Sequence, residues 1–379
     1  MKNFLIINSN RHPSQLIAQL FKKMEDKGYF FHIMSSNPDF LDWFAETSPQ
    51  RMVKKVRSGP DLESGWGKFV VIPLIPPLCL KQFITLFYAK FFKKINAIIC
   101  FDNNDRVIFT PVGRILRMRV IWLERPDVCG RERVGFLLKL LRSLSRSVDR
   151  IIVFNHRSQQ ELENKGFKSD KIRNIYLGIS PTQEHQDDLF SNLARKGDSC
   201  AVKNCFSVGV ITDLDNVYQI ESLFQSIKIC LDIFSNLRVV IIGDGKEKKK
   251  VSWLARQTGI ENLIYLVGGQ KDLEKWWDSF DVYLAWISQP RLYDFQVALE
   301  AMSAGLPVIA FRDKGWEDLV REDRTGFLVS EGDSEELAQK FIRLQQAPDL
   351  KKNMGRNASE LVRDQFSFAR QIQRLTHEL

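Results

Sequence analysis

The chain has 379 residues, which at about 150 residues per domain is room for two domains, each with its own hydrophobic core. Hydrophobic residues make up 44% of the sequence and charged residues 27%, a balance that excludes a disordered, collagen-like or coiled-coil protein. Residues 1–180 carry a net charge of +14 and residues 181–379 one of −5, which predicts that the first half faces lipid, nucleic acid or a phosphorylated compound.

Short strand-like runs alternate with helical stretches through the first half of the chain. We predict strands at residues 4–7, 30–34, 69–72, 97–101, 120–123 and 150–154. This alternation is typical of β–α units that build a parallel sheet.

Residues 78–95 combine aromatic side chains with lysines at helical spacing. The pattern is typical of an amphipathic helix at a membrane interface, although a solvated basic helix or a buried core helix would also fit it. The residues that we predict to contact an anionic lipid surface are Lys81, Lys90, Phe91, Phe92, Lys93 and Lys94. A nucleic-acid partner is not expected, because the chain has no helix-turn-helix, RNP-like or zinc-finger pattern.

The sequence predicts a cytoplasmic protein that binds peripherally at the inner face of the cell membrane. The charge-free apolar run at residues 69–80 contains three prolines and is shorter than the roughly 20 residues of a membrane span. The first residues lack the longer apolar region and cleavage site of a signal peptide. The six cysteines show no CxxC spacing, and we expect reduced thiols.

A polar stretch without periodicity at residues 180–204 marks the junction between two domains. Beyond it we predict strands at residues 206–211, 238–242, 263–267, 282–285 and 307–310, separated by helix-length segments. The second half is therefore another parallel α/β domain. Its ligands are expected beyond the carboxyl ends of the strands.

The second half also contains an ordered series of motifs. These include VVIIGDGKEKKK at 239–250, ARQTGIENLIYLVG at 255–268, FDVYLAW at 280–286, VALEAMSAGLPVIAF at 297–311 and KGWEDLVREDRTGFLV at 314–329. The series resembles the donor-binding domain of the retaining glycosyltransferases of family 4, also called group 1. The resemblance implies the GT-B fold, with two Rossmann-like α/β domains facing an interdomain cleft. It implies an acceptor-binding domain at 1–182, a donor-binding domain at 203–365 and a C-terminal helix at 366–379 that crosses back to the first domain.

The resemblance further implies where a nucleotide-sugar donor binds. The family's ribose-binding glutamate falls on Glu300, one turn into a helix that begins near residue 296 and points its free N–H groups at the donor diphosphate. Gly315 would let the backbone approach the sugar or phosphate, and Gly268 would lie against the nucleobase. We interpret Gly243 and Gly245 as turn glycines.

The chain departs from the family pattern at several charged positions. Leu292 stands where the family has an earlier glutamate for the donor sugar, and the nearby Asp294 is our candidate for that role. Val210 and Asp215 stand where the family has an arginine and a lysine that bind the diphosphate. The candidates to replace these cations are Arg291, Arg312 and Lys314. The family's acceptor-domain histidine is absent as well, and Glu124 is our candidate for orienting the acceptor hydroxyl.

Two functions from different classes follow from these residues. The first is a retaining, metal-independent, hexosyltransferase-like enzyme that moves a sugar from a nucleotide-sugar donor to a lipid-linked or polysaccharide acceptor, with the donor as co-substrate and no cofactor. The second is a catalytically degenerate GT-B protein that acts as a binding module or partner subunit. A sugar-nucleotide epimerase is a weaker third interpretation, because ALEAMSAGLPV resembles the transferases more.

Overall fold

The structure is a computed structural model that describes residues 2–9, 15–38, 41–42, 44, 53–56, 67–124, 135–179, 205–215, 220–270, 272–286, 292–312 and 315–379. The chain forms two compact units. The first comprises Met1–Tyr176 with Ile372–Leu379, and the second comprises Leu177–Gln371. Each unit is built on one parallel sheet.

The first unit contains a parallel sheet of seven described strands. These are β1 (Lys2–Asn8), β2 (Tyr29–Ser35), β3 (Val53–Lys55), β4 (Ala97–Cys100), β5 (Arg119–Leu123), β6 (Arg150–Val153) and β7 (Ile172–Asn174). Its helices are α1 (Gln15–Glu25), α2 (Gly67–Phe92), α3 (Asn103–Ile115), α4 (Phe136–Ser145) and α5 (His156–Asn164). The strand order is β3-β2-β1-β4-β5-β6-β7, so the winding reverses between the neighbours β1 and β4.

Most of this sheet follows from its apolar runs. Strands β4, β5 and β6 are buried almost throughout, as expected for parallel strands that are covered on both faces. Five of the six predicted strands are confirmed, whereas the prediction of a strand at 69–72 was wrong because these residues lie in α2. A four-residue apolar run has no period of its own, and only the length of the surrounding segment distinguishes strand from helix. The three-residue strands β3 and β7 were not predicted.

The second unit contains a parallel sheet of six described strands. These are β8 (Phe206–Ile211), β9 (Leu237–Ile242), β10 (Ile264–Gly268), β11 (Val282–Ala285), β12 (Val308–Phe311) and β13 (Gly326–Val329). Its helices are α6 (Ile220–Leu231), α7 (Lys248–Gln257), α8 (Glu274–Trp277), α9 (Leu292–Ser303), α10 (Ser334–Gln346) and α11 (Pro348–Gln365). The order β10-β9-β8-β11-β12-β13 is that of a doubly wound Rossmann sheet, with its switch point between β8 and β11. All five predicted strands are confirmed, and β13 was not predicted.

The last helix returns to the first unit, in agreement with the prediction. Helix α12 (Phe368–Glu378) begins in the second unit, and its residues from Ile372 onward group with the first. Glu378 accepts a hydrogen bond from Arg150 Nε at 2.7 Å and lies 3.5 Å from Arg173 Nε, while Arg119 donates to the Glu378 carbonyl at 3.1 Å. Arginines from three neighbouring strands, β5, β6 and β7, therefore hold the end of α12.

Two further expectations concern cysteines and membrane helices. Cys79, Cys100 and Cys230 are free thiols, and burial raises the pKa of each. The expectation of a reduced thiol was wrong for Cys205, which is disulfide-bonded. Spacing in sequence does not reveal which cysteines meet in space. No helix in the described ranges has both the length and the apolar character needed to cross a membrane.

Candidate functional site

The carboxyl ends of the second sheet bring together segments that are distant in sequence. At the switch point, residues 212–215 follow β8 and Trp286 follows β11. On one side, residues 243–247 follow β9 and Gly268 ends β10. Ligands of open parallel sheets bind outside such strand ends, so this edge is the candidate site.

The loops after β8 and β9 form one closely packed pair. Leu214 N–H donates to the carbonyl of Asp244 at 3.1 Å, and Glu247 N–H donates to the carbonyl of Leu214 at 2.8 Å. A Cβ atom on Gly243 would lie 1.8 Å from the Thr212 carbonyl oxygen, and one on Gly245 would lie 2.4 Å from the Leu214 carbonyl carbon. The close approach of the two loops therefore requires glycine at both positions. The sequence suggested only that these glycines form turns.

The two positions where the family places cations have structural roles here. Val210 is fully buried within β8. The carboxylate of Asp215 accepts a hydrogen bond from the backbone N–H of Lys246 at 3.1 Å, which fixes the β9 loop. Asp215 thus holds the neighbouring loop in place.

A lysine that the sequence analysis did not single out lies at the same edge. Lys248, the first residue of α7, places Nζ 3.4 Å from Asp244 Oδ1. A Cβ atom on Gly268 would lie 3.5 Å from that Nζ, and Gly268 has a φ of +86°, which favours glycine. The signal was present in GDGKEKKK, but the sequence does not show which of its lysines turns toward β10.

Helix α9 begins earlier than predicted. It starts at Leu292 rather than near residue 296, so Glu300 lies more than two turns inside it. The prediction of the start was wrong because Phe295 extends the buried helical face of Ala298 and Leu299 toward the amino terminus. Asp294 then falls in the first turn, where the helix dipole favours a carboxylate.

Glu300 carries a pre-oriented, half-buried carboxylate. Its Oε1 accepts a hydrogen bond from Gln296 Nε2 at 2.7 Å, one turn earlier in α9. Burial raises the pKa of Glu300, the hydrogen bond from Gln296 opposes that effect, and the negative charge of Glu274 raises the pKa further. The net result is a pKa above the ordinary glutamate value.

Acidic groups of α9 also act electrostatically on a buried tyrosine of β11. Burial raises the pKa of Tyr283 well above its usual range, and the charges of Asp294, Tyr293 and Glu300 add to that effect. Asp294 is itself only 6% exposed. The structure therefore brings the two predicted carboxylates, Asp294 and Glu300, within electrostatic range of one hydroxyl.

The predicted loop cations and Gly315 have different outcomes. Arg312 Nη2 donates to the Leu328 carbonyl at 2.7 Å and lies 3.5 Å from Glu336, so its guanidinium points toward β13 and α10. Gly315 is buried and precedes a short 3-10 helix with a φ of −69°, a conformation open to any residue. The other two predicted cations, Arg291 and Lys314, lie outside the described residues.

In the first unit, Glu124 forms a buried ion pair. Its Oε2 lies 2.8 Å from Arg106 Nη1, and the two side chains are only 1% and 2% exposed. Arg106 also donates to the Leu123 carbonyl at 3.0 Å and lies over the Trp122 ring at 5.2 Å. The carboxylate predicted to orient an acceptor therefore binds a core arginine. No group of three histidine, cysteine or carboxylate side chains that could hold a metal ion occurs in the part of the chain that the structure describes.

The outer face of α2 is apolar and exposed. Its members, which lie 44–70% exposed at helical spacing, are Leu80, Ile84, Phe87, Tyr88, Phe91 and Phe92. The opposite face buries Gln82 and Thr85 together with Leu86 and Ala89. This helix thus exposes an aromatic face and buries two polar side chains beside apolar ones.

The predicted lipid-binding lysines lie around this face with one exception. Lys81, Lys93 and Lys94 are exposed. The amine of Lys90 instead donates to the carbonyl of Leu116, the residue that caps α3. Three of the four lysines therefore present their charge at the surface.

Comparison with known proteins gives a family match within the second unit. Residues 203–347 match the family model described as "Glycosyl transferases group 1". The N-acetyl-alpha-D-glucosaminyl L-malate synthase of Bacillus anthracis is 28% identical over 157 residues, which are 41% of this chain and 40% of that protein. Sulfoquinovosyl transferase SQD2 of Arabidopsis thaliana is 31% identical over 144 residues, 37% of this chain and 28% of that protein. The matches span less than half the length of these relatives.

Solved structures match the fold of the whole chain. The crystal structure of Anabaena HepE in complex with UDP has a TM-score of 0.77 at 19% identity and covers 100% of this chain and 99% of its own. The lipopolysaccharide outer core galactosyltransferase WaaB in its apo form has a TM-score of 0.70 at 14% identity, and the match covers 100% of this chain and 99% of that chain. Residues 203–347 therefore match the model of the group 1 glycosyltransferases, and the two Rossmann-like units have the GT-B fold of the solved structures.

Proposed function

We propose that the chain is a glycosyltransferase that moves a sugar from a nucleotide-sugar donor to a glycan or lipid-linked acceptor. The observation that carries the proposal is the Glu300 carboxylate, which is half-buried and oriented by Gln296 in the helix that follows the switch-point strand β11. A fixed carboxylate is suited to accept hydrogen bonds from the two vicinal hydroxyls of a ribose. The neighbour HepE has been crystallised with UDP and with UDP-glucose, which supports this class of donor.

The other donor contacts belong to the same proposal. We expect the backbone N–H groups in the first turn of α9 to face the diphosphate, because the positive end of the helix dipole favours an anion there. Arg312 would have to leave Leu328 and Glu336 to reach the phosphates, whereas Arg291 and Lys314 stay predictions. We assign the base to the surface at Gly268, the sugar or phosphate to the backbone at Gly315, and the donor sugar to Asp294.

We further propose that a hexose is transferred with retention of its anomeric configuration and without a metal or other cofactor. These features rest on the family resemblance. The chain's contribution would be to hold donor and acceptor together and to stabilise the charge of the leaving phosphate. The acceptor role of Glu124 requires its carboxylate to exchange Arg106 for a substrate hydroxyl.

The acceptor belongs, in this proposal, to a membrane surface. The exposed aromatic face of α2 has three exposed lysines beside it, a combination that suits anionic headgroups above an acyl boundary. Among the relatives are proteins named for lipopolysaccharide core and capsular polysaccharide biosynthesis. We therefore place the protein at the cytoplasmic face of the cell membrane, bound peripherally through α2.

A second candidate, a degenerate GT-B binding module, is favoured by the roles of Val210, Asp215 and Arg312. None of these three residues offers a cation to a diphosphate as it lies in the structure.

Thermal-shift measurements with UDP, GDP and ADP, followed by hydrolysis assays with UDP-glucose and GDP-mannose, separate the two candidates. Stabilisation by a nucleoside diphosphate together with sugar release supports the transferase, since ligand binding to the native state raises Tm. Stabilisation without release, including in the presence of anionic vesicles, favours the binding module. Absence of any shift at millimolar nucleotide would contradict the transferase and leave the degenerate GT-B protein.

A further inference from the structure

Helix α7 of the second unit combines positive charge with one exposed aromatic ring. It contains four basic residues and no acidic one, although residues 181–379 as a whole carry a net charge of −5. Trp253 in α7 is 56% exposed. The other tryptophans that the structure describes are at most 6% exposed, and these are Trp122, Trp276, Trp277, Trp286 and Trp316.

Helical spacing places three of the cations around the indole ring. Lys249 and Lys250 precede Trp253 by four and three residues, and these spacings make side chains neighbours on a helix. Arg256 follows Trp253 by three residues. All four side chains are exposed, whereas Val251 on the opposite side of α7 is buried in the core of the second unit. We call this exposed set, Lys249, Lys250, Trp253 and Arg256, the α7 basic face.

The stability of α7 does not explain the α7 basic face. Three lysines stand in the first turn, where the helix dipole favours anions. Lys250 Nζ lies 3.6 Å from Glu247 Oε2, but both side chains are exposed, and surface pairs of this kind contribute little to stability. Lys249 and Arg256 have no ion pair with another residue that the structure describes. The positive charge is therefore available to an external anion.

The chemistry of the α7 basic face fits the surface of an anionic membrane. Lysine and arginine are attracted to anionic headgroups, and tryptophan is enriched at the headgroup level because its ring is apolar and its N–H is polar. Proteins that bind single-stranded nucleic acid usually stack several aromatic rings on successive bases, whereas Trp253 is the one aromatic residue of α7. Anionic lipid is therefore favoured over nucleic acid as the partner.

We propose that the α7 basic face is a lipid contact of the second unit. Lys249, Lys250 and Arg256 bind anionic headgroups, and the ring of Trp253 enters the boundary between headgroups and acyl chains. This contact is separate from the exposed face of α2 in the first unit. It goes beyond the proposed function and holds for either candidate function, because none of these four residues belongs to the donor site.

The first test measures quenching of tryptophan fluorescence by vesicles of phosphatidylcholine and phosphatidylglycerol with brominated acyl chains. The fluorescence of the wild-type chain should fall when it binds. Trp253→Phe keeps an apolar ring, so we expect it to bind the vesicles but to lose most of this quenching. Helix α2 contains no tryptophan, so the difference between the two proteins reports α7 and not α2. In Phe91→Ser with Phe92→Ser, the quenching per vesicle-bound molecule should stay unchanged.

The second test removes charge from the α7 basic face. Lys249→Gln with Lys250→Gln should lower the vesicle partition coefficient about 25-fold, or about fivefold for each lysine. The matched control is Lys352→Gln with Arg356→Gln, which removes the same charge from exposed side chains of α11 in the same unit. This control should bind nearly as the wild type does at about 100 mM salt, where the Debye length is only about 10 Å.

Three results would overturn the inference. Equal quenching in the wild type and Trp253→Phe would exclude contact of this ring with lipid. An equal loss of binding in the α7 and α11 charge variants would show that only the net charge matters. A wild-type chain that is retained on RNA but not on the anionic vesicles would show that the face binds a soluble polyanion. A failure of the proposed function appears separately, in the nucleotide experiments.

Discussion

Glu300→Ala is the most direct test of the donor site. The carboxylate is half-buried and already ordered by Gln296, so it gives up little conformational freedom when it binds a ribose. Loss of hydrogen bonds to a charged acceptor costs about 1 to 3 kcal/mol, or roughly 5- to 150-fold in Kd. We expect the Kd for UDP, measured by calorimetry, to rise by that factor.

The same experiment with 2′,3′-dideoxy-UDP isolates the ribose contact. Because this ligand lacks both hydroxyls, wild type and Glu300→Ala should bind it equally, and the difference between the two ligands gives the coupling energy. Gln296→Ala is the matched control for a general disturbance of α9 and should weaken UDP binding less. An equal loss for UDP and its dideoxy form would refute the assignment of Glu300 to the ribose.

The pKa of Glu300 adds a pH dependence with a defined sign. Burial raises this pKa, and only the ionised carboxylate accepts hydrogen bonds from both hydroxyls. The advantage of wild type over Glu300→Gln in UDP binding should therefore be present above the raised pKa and disappear as the pH falls through it. A constant advantage from pH 4 to pH 8 would contradict this account.

Three further predictions concern stability and the membrane. Glu124→Ala should lower the free energy of unfolding by about 3 to 5 kcal/mol, because it leaves Arg106 as an unpaired buried charge. The double variant Arg106→Met with Glu124→Leu should recover most of that loss in urea titrations. An unchanged stability of Glu124→Ala would instead favour the acceptor role of Glu124. The double variant Phe91→Ser with Phe92→Ser should co-sediment less with anionic vesicles at low salt, whereas Phe136→Ser, at the similarly exposed Phe136 of α4, should co-sediment as the wild type does. Binding of the wild type to the vesicles that does not depend on salt would argue against α2 as a lipid contact. Partial burial raises the pKa of Glu378, but hydrogen bonds from Arg150 and His377 and the charge of Arg173 outweigh that effect and hold the pKa below its usual value. The stability advantage of the wild type over Glu378→Gln should therefore be complete above about pH 4.3 and shrink as the pH falls further. An advantage that persists in acid would contradict the pairing of Glu378 with these groups.

The sequence predicts those features of the fold that depend on local composition. Strands such as β8 and β11 are buried apolar runs bounded by turn residues, so their limits follow directly from the pattern. The run at 69–72 is equally apolar but lies in α2, because its conformation depends on contacts that only the folded chain provides. The order of the strands follows from the alternation and the family resemblance, not from any single strand.

The candidate site was predictable only in part. Glu300 was predicted from its motif, and the structure adds the Gln296 contact that orients its carboxylate. The pairing of Glu124 with Arg106 joins residues 18 positions apart on a helix and a strand end, and no local pattern reports such a contact. Lys248 was hidden in a run of similar lysines until the fold placed it beside Gly268.

The charges at the carboxyl edge of the second sheet show how the chain departs from the family that it resembles. Asp215 stands on the β8 loop where the family carries a lysine. Lys246 lies on the β9 loop that is hydrogen-bonded to Asp215, and Lys248 begins α7 directly after that loop. Positive charge is thus present at this edge, but on the neighbouring loop. Attraction between these lysines and a diphosphate that they do not contact directly is screened by salt, because the Debye length is about 8 Å at physiological ionic strength. Direct arginine–phosphate hydrogen bonds are screened less.

The affinity for UDP should accordingly fall strongly with salt. We expect the Kd to rise several-fold between 20 mM and 500 mM NaCl, with a smaller rise in Lys248→Met, in which one of the long-range charges is removed. Uridine, which carries no phosphate, is the control ligand and should show little salt dependence in either protein. If UDP affinity is independent of salt, a desolvated cation binds the diphosphate directly, and Arg291 and Lys314 become the residues to replace first.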